Sequence, residues 1–573
     1  MKVSDYIVEY LSKKGIETVF GYPGGMVTHL MDSFSRHEKV ASQLCYHEQG
    51  AGFSACGYAQ ATGKIGVAYA TSGPGATNLI TPICHAFFES IPVLFITGQV
   101  NTFESKGELP VRQKGFQETD IISMVQGVTK YAAYVEDAKQ IKFYLDSACY
   151  HAENGRPGAV LLDIPMDVQR SEIDPFALVE YNHRHTVSYD LPYACDVLIR
   201  SLKEVQRPVL LCGNGINSSG MRDGFRAFVN KLSIPTLTSM TAVDVLPHSM
   251  SYGFIGAYGH RCANMILSQC DMLISIGSRL DNRQTGADLG AFAPNAQLLR
   301  FDIDEGELFN KVKDDEISVL VDLKALIPFL AERISPADIP DYSGWKRQCD
   351  YYKNRLDQAD QPLFPNQIMM EIGKNIPDDT VITTDVGQNQ VWAAQSLEIK
   401  PGQRVLFSGG HGAMGVSLPE ALGAYFGTGR PVVCMSGDGG LQMNIQELQM
   451  VAREKIPVKI LVFNNRSLGM IRHFQEMYFA SNFAYTVEEG GYLAPDFVTI
   501  GEAYGIRSCR IDKVEEAESI RDMLEDDKPL LVEVDVGDTT YVYPKLEYKK
   551  PIYDQEPPID RKLLAELLEY KES

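Results

Sequence analysis

The chain has 573 residues, 45% hydrophobic and 22% charged, with 74 acidic against 53 basic side chains and a formal charge of -21. That length exceeds one hydrophobic core and calls for about three or four domains, and the negative charge argues against nucleic acid or an anionic membrane as the main partner while leaving room for a phosphorylated ligand at a locally basic site. No apolar run approaches a membrane span, and 11 cysteines without a C-x-x-C pair suggest neither a zinc site nor a disulfide framework, so cytoplasmic residence is the expectation.

In chain order, MKVSDYIVEYLSKKG places Val3, Tyr6, Ile7, Tyr10 and Leu11 on one helical face, with Ser4 as the expected cap and Gly15 as the stop. This is an amphipathic helix of a folded domain, without the continuous apolar core of a signal peptide. A first block runs over 1–170 and ends in the strand AVLLDIP, 159–165. The His-, Tyr- and Asp-rich stretch 171–190 reads as a linker. A second block, 191–335, holds strands at PVLLCG (208–213), MLISIG (272–277) and LLRFDI (298–303). After a join bearing prolines and charges (336–365), a third block spans 366–545, and a tail, 546–573, ends in the helical pattern RKLLAELLEY. Strand alternates with helix in each block, so the expected fold is α/β, three doubly wound parallel-sheet domains covered on both faces. The tail helix is expected either to pack on a neighbouring domain or subunit or to lie on the surface.

The most informative stretch is GDGGLQMNIQELQMVAREKIPVKILVFNN, 437–465. PVVCM (431–435) and IPVKILVF (456–463) are apolar runs of strand length, and Ile445, Leu448, Val451 and Ala452 recur between them at helical spacing. The resulting β-α-β unit makes the strands parallel and, as neighbours about 4.8 Å apart, brings Asp438 and Asn465 out together at the carboxyl edge of the sheet. Two oxygens each about 2.1 Å from one Mg²⁺ need about that separation. Gly437, Gly439 and Gly440 let backbone N–H groups approach an anion, and a helix expected to begin near Asn444 adds its positive end. Asp-Gly and Asn-Asn also serve as plain turn chemistry. The 27 positions between Asp438 and Asn465 are what resemble the thiamine-diphosphate motif.

Such a cofactor must lose the C2 proton of its thiazolium, and a desolvated carboxyl group bonded to its aminopyrimidine ring favours the imino tautomer that removes it. CYHEQGAGFSACGYAQATG, 45–63, offers Glu48, followed by Ala51, Ala55 and Ala59 on a helix face small enough for close packing. Taken alone, Glu48 is also an ordinary helix-start carboxylate. FGYPGG (20–25, with Tyr22), HEQGA (47–51) and TSGPGATN (71–78) occur in the order, and near the spacing, found in acetolactate synthase large subunits. Almost the entire chain resembles that branch of the thiamine-diphosphate superfamily.

The resemblance implies a pyrimidine-binding domain, a central domain and a diphosphate-binding domain. It implies Glu48 as the activating acid, Asp438 and Asn465 as the side-chain ligands of Mg²⁺, and the backbone carbonyl of Ser467 as a third. Met414, in SGGHGAMG (408–415), becomes the apolar wedge that bends the cofactor. Tyr22, Pro74, Asn78, Gln117, Val386, Gln388, Gly412, Gly469 and Met470 fall where the family contacts the cofactor or its reacting end. In such enzymes the pyrimidine domain of one subunit faces the diphosphate domain of another, so a homodimer is the smallest expected unit and a homotetramer a pair of them; a regulatory small subunit is left open. In the central block, GSRLDNRQTG (277–286), RFDID (300–304) and Asp322 supply Arg279 and Arg283 for a diphosphate and Asp302 and Asp322 for a ribose or adenine edge. The resemblance implies FAD there with no net redox part, although related central domains keep the fold and lose the nucleotide.

Decarboxylation of a 2-oxo acid on this cofactor leaves an acyl-anion equivalent. Decarboxylases of the superfamily protonate it with an adjacent His-His pair, which is absent among the 11 histidines here. Carboligation is therefore the expectation, from pyruvate to a second 2-oxo acid, giving 2-acetolactate. The sequence departs from biosynthetic acetolactate synthases around the acceptor. NTFESKGELPVRQKGFQETD (101–120) is longer and more basic than the usual connection, His411 stands at a normally apolar position, Phe474 replaces a tryptophan and Leu468 a glutamine. A wider pocket fringed by Lys106, Arg112 and Lys114 suits a bulkier, anionic acceptor, although solvated loop charges read the same way. With GFQET, NNRSLGM and the tail KPIYDQEPPIDR (550–561), these features resemble acetolactate-synthase-like proteins associated with bacterial surface-polysaccharide synthesis, and a nucleotide-linked ketosugar is the alternative acceptor. Flavin-linked pyruvate oxidation and a catalytically silent cofactor-binding protein rank behind both.

Overall fold

A computed structural model describes residues 1–182 and 187–572, so part of the 171–190 linker lies outside the described residues. Three sheets form, and every strand pair within them is parallel. The first contains β1 (Thr18–Gly21), β2 (Ala41–Leu44), β3 (Gly66–Ala70), β4 (Val93–Gln99), β5 (Tyr131–Tyr134) and β6 (Ala159–Pro165), in the order β2-β1-β3-β4-β6-β5. The second contains β7 (Pro208–Cys212), β8 (Thr236–Thr238), β9 (Met272–Ile276), β10 (Gln297–Asp302) and β11 (Ile317–Leu320), in the order β11-β10-β9-β7-β8. The third contains β12 (Val381–Thr384), β13 (Arg404–Leu406), β14 (Val432–Gly437), β15 (Lys459–Asn464), β16 (Arg507–Ile511) and β17 (Leu530–Asp535), in the order β13-β12-β14-β15-β17-β16. The first and third sheets thus share one strand order. Each reverses direction of growth after its first strand, and the crevice at such a reversal is where open α/β sheets bind ligands.

The two six-stranded domains meet through equivalent helices, Glu48–Thr62 and Ser417–Thr428. Small residues make this contact possible: a Cβ on Gly423 would fall 1.8 Å from the Ser54 carbonyl oxygen, and one on Gly57 would fall 2.1 Å from that of Glu420. The central core also takes in the 336–365 join, whose helix Ser343–Ala359 buries Trp345, Cys349, Tyr352 and Leu356. The tail helix Arg561–Glu569 docks there too, through Leu564 and Leu567. Arg261 ties the tail down, reaching the carbonyl oxygens of Gln555 at 3.0 Å and Pro557 at 2.6 Å.

The first helix, Val3–Lys13, buries Val3, Tyr6, Ile7, Tyr10 and Leu11 as its periodicity predicts. Ser4 does not cap it. The residue lies inside the helix, buried, and accepts from Ser33 Oγ at 2.8 Å, because the chain enters through a bridge between Lys2 and Glu172 that makes Lys2 the cap position. Among the described residues no helix is long and apolar enough to cross a membrane.

Candidate active site

Strands β14 and β15 are neighbours, with Gly437 opposite Phe463, so Asp438 and Asn465 leave the sheet within one residue of each other. Both are buried, at 3% and 5% exposure. The helix that follows starts at Asp438 and runs to Met443, so its amino-terminal end lies at the GDGG turn; Asn444, where the periodicity put it, is the end. Burial pushes the Asp438 carboxyl up to about 6, against a bond from Tyr492 Oη at 3.0 Å and from nearby backbone amides that include Ser467 N–H. The Asn465 amide is held at both ends. Its Nδ2 donates to Gln388 Oε1 and to Thr540 Oγ1, each at 2.8 Å, and its Oδ1 accepts Ser467 N–H at 3.1 Å.

One carboxylate, one amide oxygen and one carbonyl form a hard-oxygen donor set that suits Mg²⁺, with the remaining positions left to diphosphate and water. The Ser467 hydroxyl, buried beside them, has no partner among the described groups. No group of three or more His, Cys, Asp or Glu side chains among the described residues could hold a metal. Gly439, Met414, Leu468 and Tyr492 converge here, because a Cβ on Gly439 would meet Leu468, the Met414 methyl and the Tyr492 hydroxyl between 2.7 and 3.3 Å. Gly440 gives way to Asp385, whose carboxylate would lie 2.2 Å from a Cβ there.

Asp385 and Tyr492 were not singled out by the sequence reading. Asp385 is fully buried at the end of β12, and burial pushes its carboxyl up to about 6 although it accepts bonds from Gly415 N, Ser436 Oγ, Val416 N and Val386 N. It anchors the loop that carries Met414, with Gly412 at φ +68 and Gly415 at φ +81. The acid after a buried strand and before Val-Gly was the available signal. Tyr492 sits 54 positions from Asp438 and carried none. Gln388 stands behind Asn465, its Oε1 accepting from Asn465 and Thr540 and its Nε2 donating to Thr540 O at 3.0 Å. Gly469 makes room for that pair, and Val386 and Met470 are partly buried alongside.

In the first domain, Glu48 begins its helix nearly buried, at 9% exposure, and accepts Asn78 Nδ2 at 2.9 Å. Asn78 closes the short helix that Pro74 opens. Gln117 packs against Gly73, just before Pro74, and holds φ +62, a strained conformation for a residue with a side chain. Tyr22 is 39% exposed at the end of β1.

Three family models match in chain order: the thiamine pyrophosphate enzyme N-terminal TPP binding domain over 1–124, the central domain over 195–330 and the C-terminal TPP binding domain over 385–534. The chain is 35% identical over 557 residues to the acetolactate synthase isozyme 2 large subunit of Escherichia coli (strain K12), covering 95% of this chain and 97% of the relative. The chain belongs to the acetolactate synthase large-subunit family of thiamine pyrophosphate enzymes. Other members of this family align as fully: the large subunit of Lactococcus lactis is 35% identical over 95% of this chain and 94% of its own, and that of Corynebacterium glutamicum 36% over 94% and 87%.

In this family member, Arg279, Arg283, Asp302 and Asp322 all line one cleft at the carboxyl ends of β7, β9 and β10. It encloses about 1330 Å³, its open mouth included. Two of its lining glycines meet backbone to backbone: a Cβ on Gly215 would fall 2.8 Å from the Gly277 Cα. Burial pushes the Asp302 carboxyl up to about 6, while Asp322 spends one oxygen capping the next helix through Lys324 N–H. The residues of the expected acceptor pocket lie apart from one another in character. His411 stacks on Phe88 with centroids 5.7 Å apart and donates its backbone N–H to Glu89. Phe474 is half-exposed beside Tyr478 and Phe479. Arg112 and Lys114 are exposed, and Lys114 Nζ is tied to the carbonyl oxygens of Phe103 and Ser105.

Proposed function

We propose that the chain is a thiamine-diphosphate- and Mg²⁺-dependent carboligase that moves a two-carbon unit from pyruvate to a second 2-oxo acid, giving 2-acetolactate. The observation that carries the reading is the meeting of Asp438, Asn465 and Ser467 at adjacent strand ends under Met414. It is supported by the names of relatives that this chain matches over 95% of its length. When bound, thiamine diphosphate would supply the acyl-anion chemistry that carries a two-carbon unit from a 2-oxo acid. Asp438, Asn465 and the Ser467 carbonyl would hold Mg²⁺ against the diphosphate. Glu48, nearly buried, would hydrogen-bond the aminopyrimidine ring and so favour its basic imino form. Met414 and Leu468 wall the site with apolar surface, which keeps water from quenching the two-carbon unit.

The wider assignment is a cytoplasmic homodimer or homotetramer with FAD in the central cleft, held at its diphosphate by Arg279 and Arg283 and at its ribose or adenine by Asp302 and Asp322. A second reading of the acceptor, a nucleotide-linked ketosugar, is favoured by the exposed basic side chains Arg112 and Lys114 and by Phe474. Supplying pyruvate together with 2-oxobutyrate or with a nucleotide-linked ketosugar, and weighing the products by mass spectrometry, tests the order of the two. Faster formation of a branched sugar than of any acetohydroxy acid would reverse it.

A further inference from the structure

The segment leading away from Asp438 reaches the pyrimidine-binding domain of its own chain. After the helix Asp438–Met443 come Asn444, the turn Ile445–Glu447 and the helix Leu448–Glu454. Three of its side chains grip the pyrimidine-domain chain on both sides of Glu48. Asn444 Nδ2 donates to Gln49 Oε1 at 3.0 Å. The Glu447 carboxylate accepts the Tyr46 N–H at 2.9 and 3.2 Å and also accepts the His47 N–H. Arg453 donates to the Leu44 carbonyl at 2.9 Å and to Tyr46 Oη at 3.1 Å, with its guanidinium 5.3 Å from the Tyr46 ring centre.

Glu447 is fully buried. A carboxylate in such a place is costly unless its oxygens are satisfied, and an apolar side chain would serve a plain packing role at less cost. Its bonds go to the two amides that immediately precede the acid. The fit is close: a Cβ on Gly50 would fall 2.4 Å from Glu447 Oε1.

We propose that Glu447, supported by Asn444 and Arg453, is a positioning residue for Glu48, fixing the Tyr46–His47 turn from the same segment that begins with Asp438. The diphosphate cradle and the activating acid of one chain are thereby set as a single rigid unit. The inference rests on the reading of Glu48 as the acid that meets the aminopyrimidine ring.

Glu447→Gln tests it, because the amide keeps the size but turns one acceptor into a donor facing an N–H. In the cofactor-free protein, backbone amide exchange at Tyr46 and His47 is expected to rise about tenfold or more, while exchange over 53–59 inside the helix is unchanged. In protein loaded with Mg²⁺ and thiamine diphosphate, exchange of the cofactor's C2 proton for deuterium, read by NMR after acid quench, is expected to slow about tenfold with the cofactor Kd unchanged. Gly50→Ala, which displaces the carboxylate, is expected to repeat both effects and stands in if Glu447→Gln does not fold. Faster amide exchange with wild-type C2 exchange would overturn the positioning role, and unchanged amide exchange would overturn the clamp. Wild-type protein that bound no thiamine diphosphate would refute the proposed function instead, and the amide arm would then decide the clamp alone.

Discussion

Asp385 accepts the backbone N–H of Gly415 on both carboxylate oxygens, at 2.9 and 3.0 Å. The loop bearing Met414 is thereby hung from the end of β12, the strand beside β14, which leads into Asp438. Asp385→Ala removes this anchor and leaves buried donors unpaired. Hydrogen bonds to a charged group contribute about 1.5–3 kcal/mol, so the Kd for thiamine diphosphate should rise about ten- to hundredfold. Isothermal titration of the cofactor-free variant checks this, and an unchanged Kd would show that the loop holds its shape without Asp385.

Glu48 and Asp438 should separate binding from activation. Glu48→Gln keeps the size of the side chain and its bond to Asn78, so cofactor affinity should stay within about threefold while turnover drops by about 100-fold or more, the range of a lost general acid-base contribution. Asp438→Ala should instead weaken Mg²⁺-dependent cofactor binding. Normal turnover in both variants would remove the site assignment.

The helix crossing between the two six-stranded domains leaves no space for a larger residue. Gly423→Val would place its Cβ against the Ser54 carbonyl, where the nearest approach is 1.8 Å. Overpacking of this kind costs about 1–3 kcal/mol, and backbone on the far side cannot yield as a side chain does. Urea unfolding should show the midpoint falling by that equivalent, whereas Gly429→Ala, at a helix end with open space, should lose only what its φ of +65 imposes.

Asp163, buried at 2% exposure between β4 and its own strand, accepts Thr97 Oγ1 at 2.7 Å and Gln99 Nε2 at 3.0 Å, yet desolvation pushes its carboxyl up to about 7. A folded-state value above the unfolded one favours the folded protein at low pH. That contribution is complete below about pH 4 and is lost as the pH rises through about 7. The stability difference between Asp163→Asn and wild type should therefore move toward the variant by on the order of 2 kcal/mol between pH 5 and pH 8. Thermal melts at both values measure it, and a pH-independent difference would mean that Asp163 ionises normally.

What could be read from the chain alone depended on how local each cause was. The pairing of Asp438 with Asn465 followed from two apolar strands with one helical pattern between them, since a parallel crossover leaves little choice of register. The small-residue face at Ala51, Ala55 and Ala59 signalled close packing, and the interior of the Glu48 helix is indeed buried. The helix start was misplaced because three glycines oppose helix formation locally, while buried Asp438 and Leu441 hold those residues in it. Ser4 looked like a cap until the bridge at Lys2 fixed where the chain enters. Tyr492 and Glu447 act on residues 54 and 401 positions away, which no local pattern encodes.

The central claim is transfer of a pyruvate-derived two-carbon unit to a second 2-oxo acid. Incubation of the protein with ¹³C-labelled pyruvate, Mg²⁺ and thiamine diphosphate, with no other acceptor, and observation by NMR tests it most directly. The account predicts labelled 2-acetolactate as the main product, absent with Glu48→Gln. Slow loss of pyruvate with only traces of acetaldehyde or acetoin would contradict it and direct the search to a nucleotide-linked ketosugar acceptor.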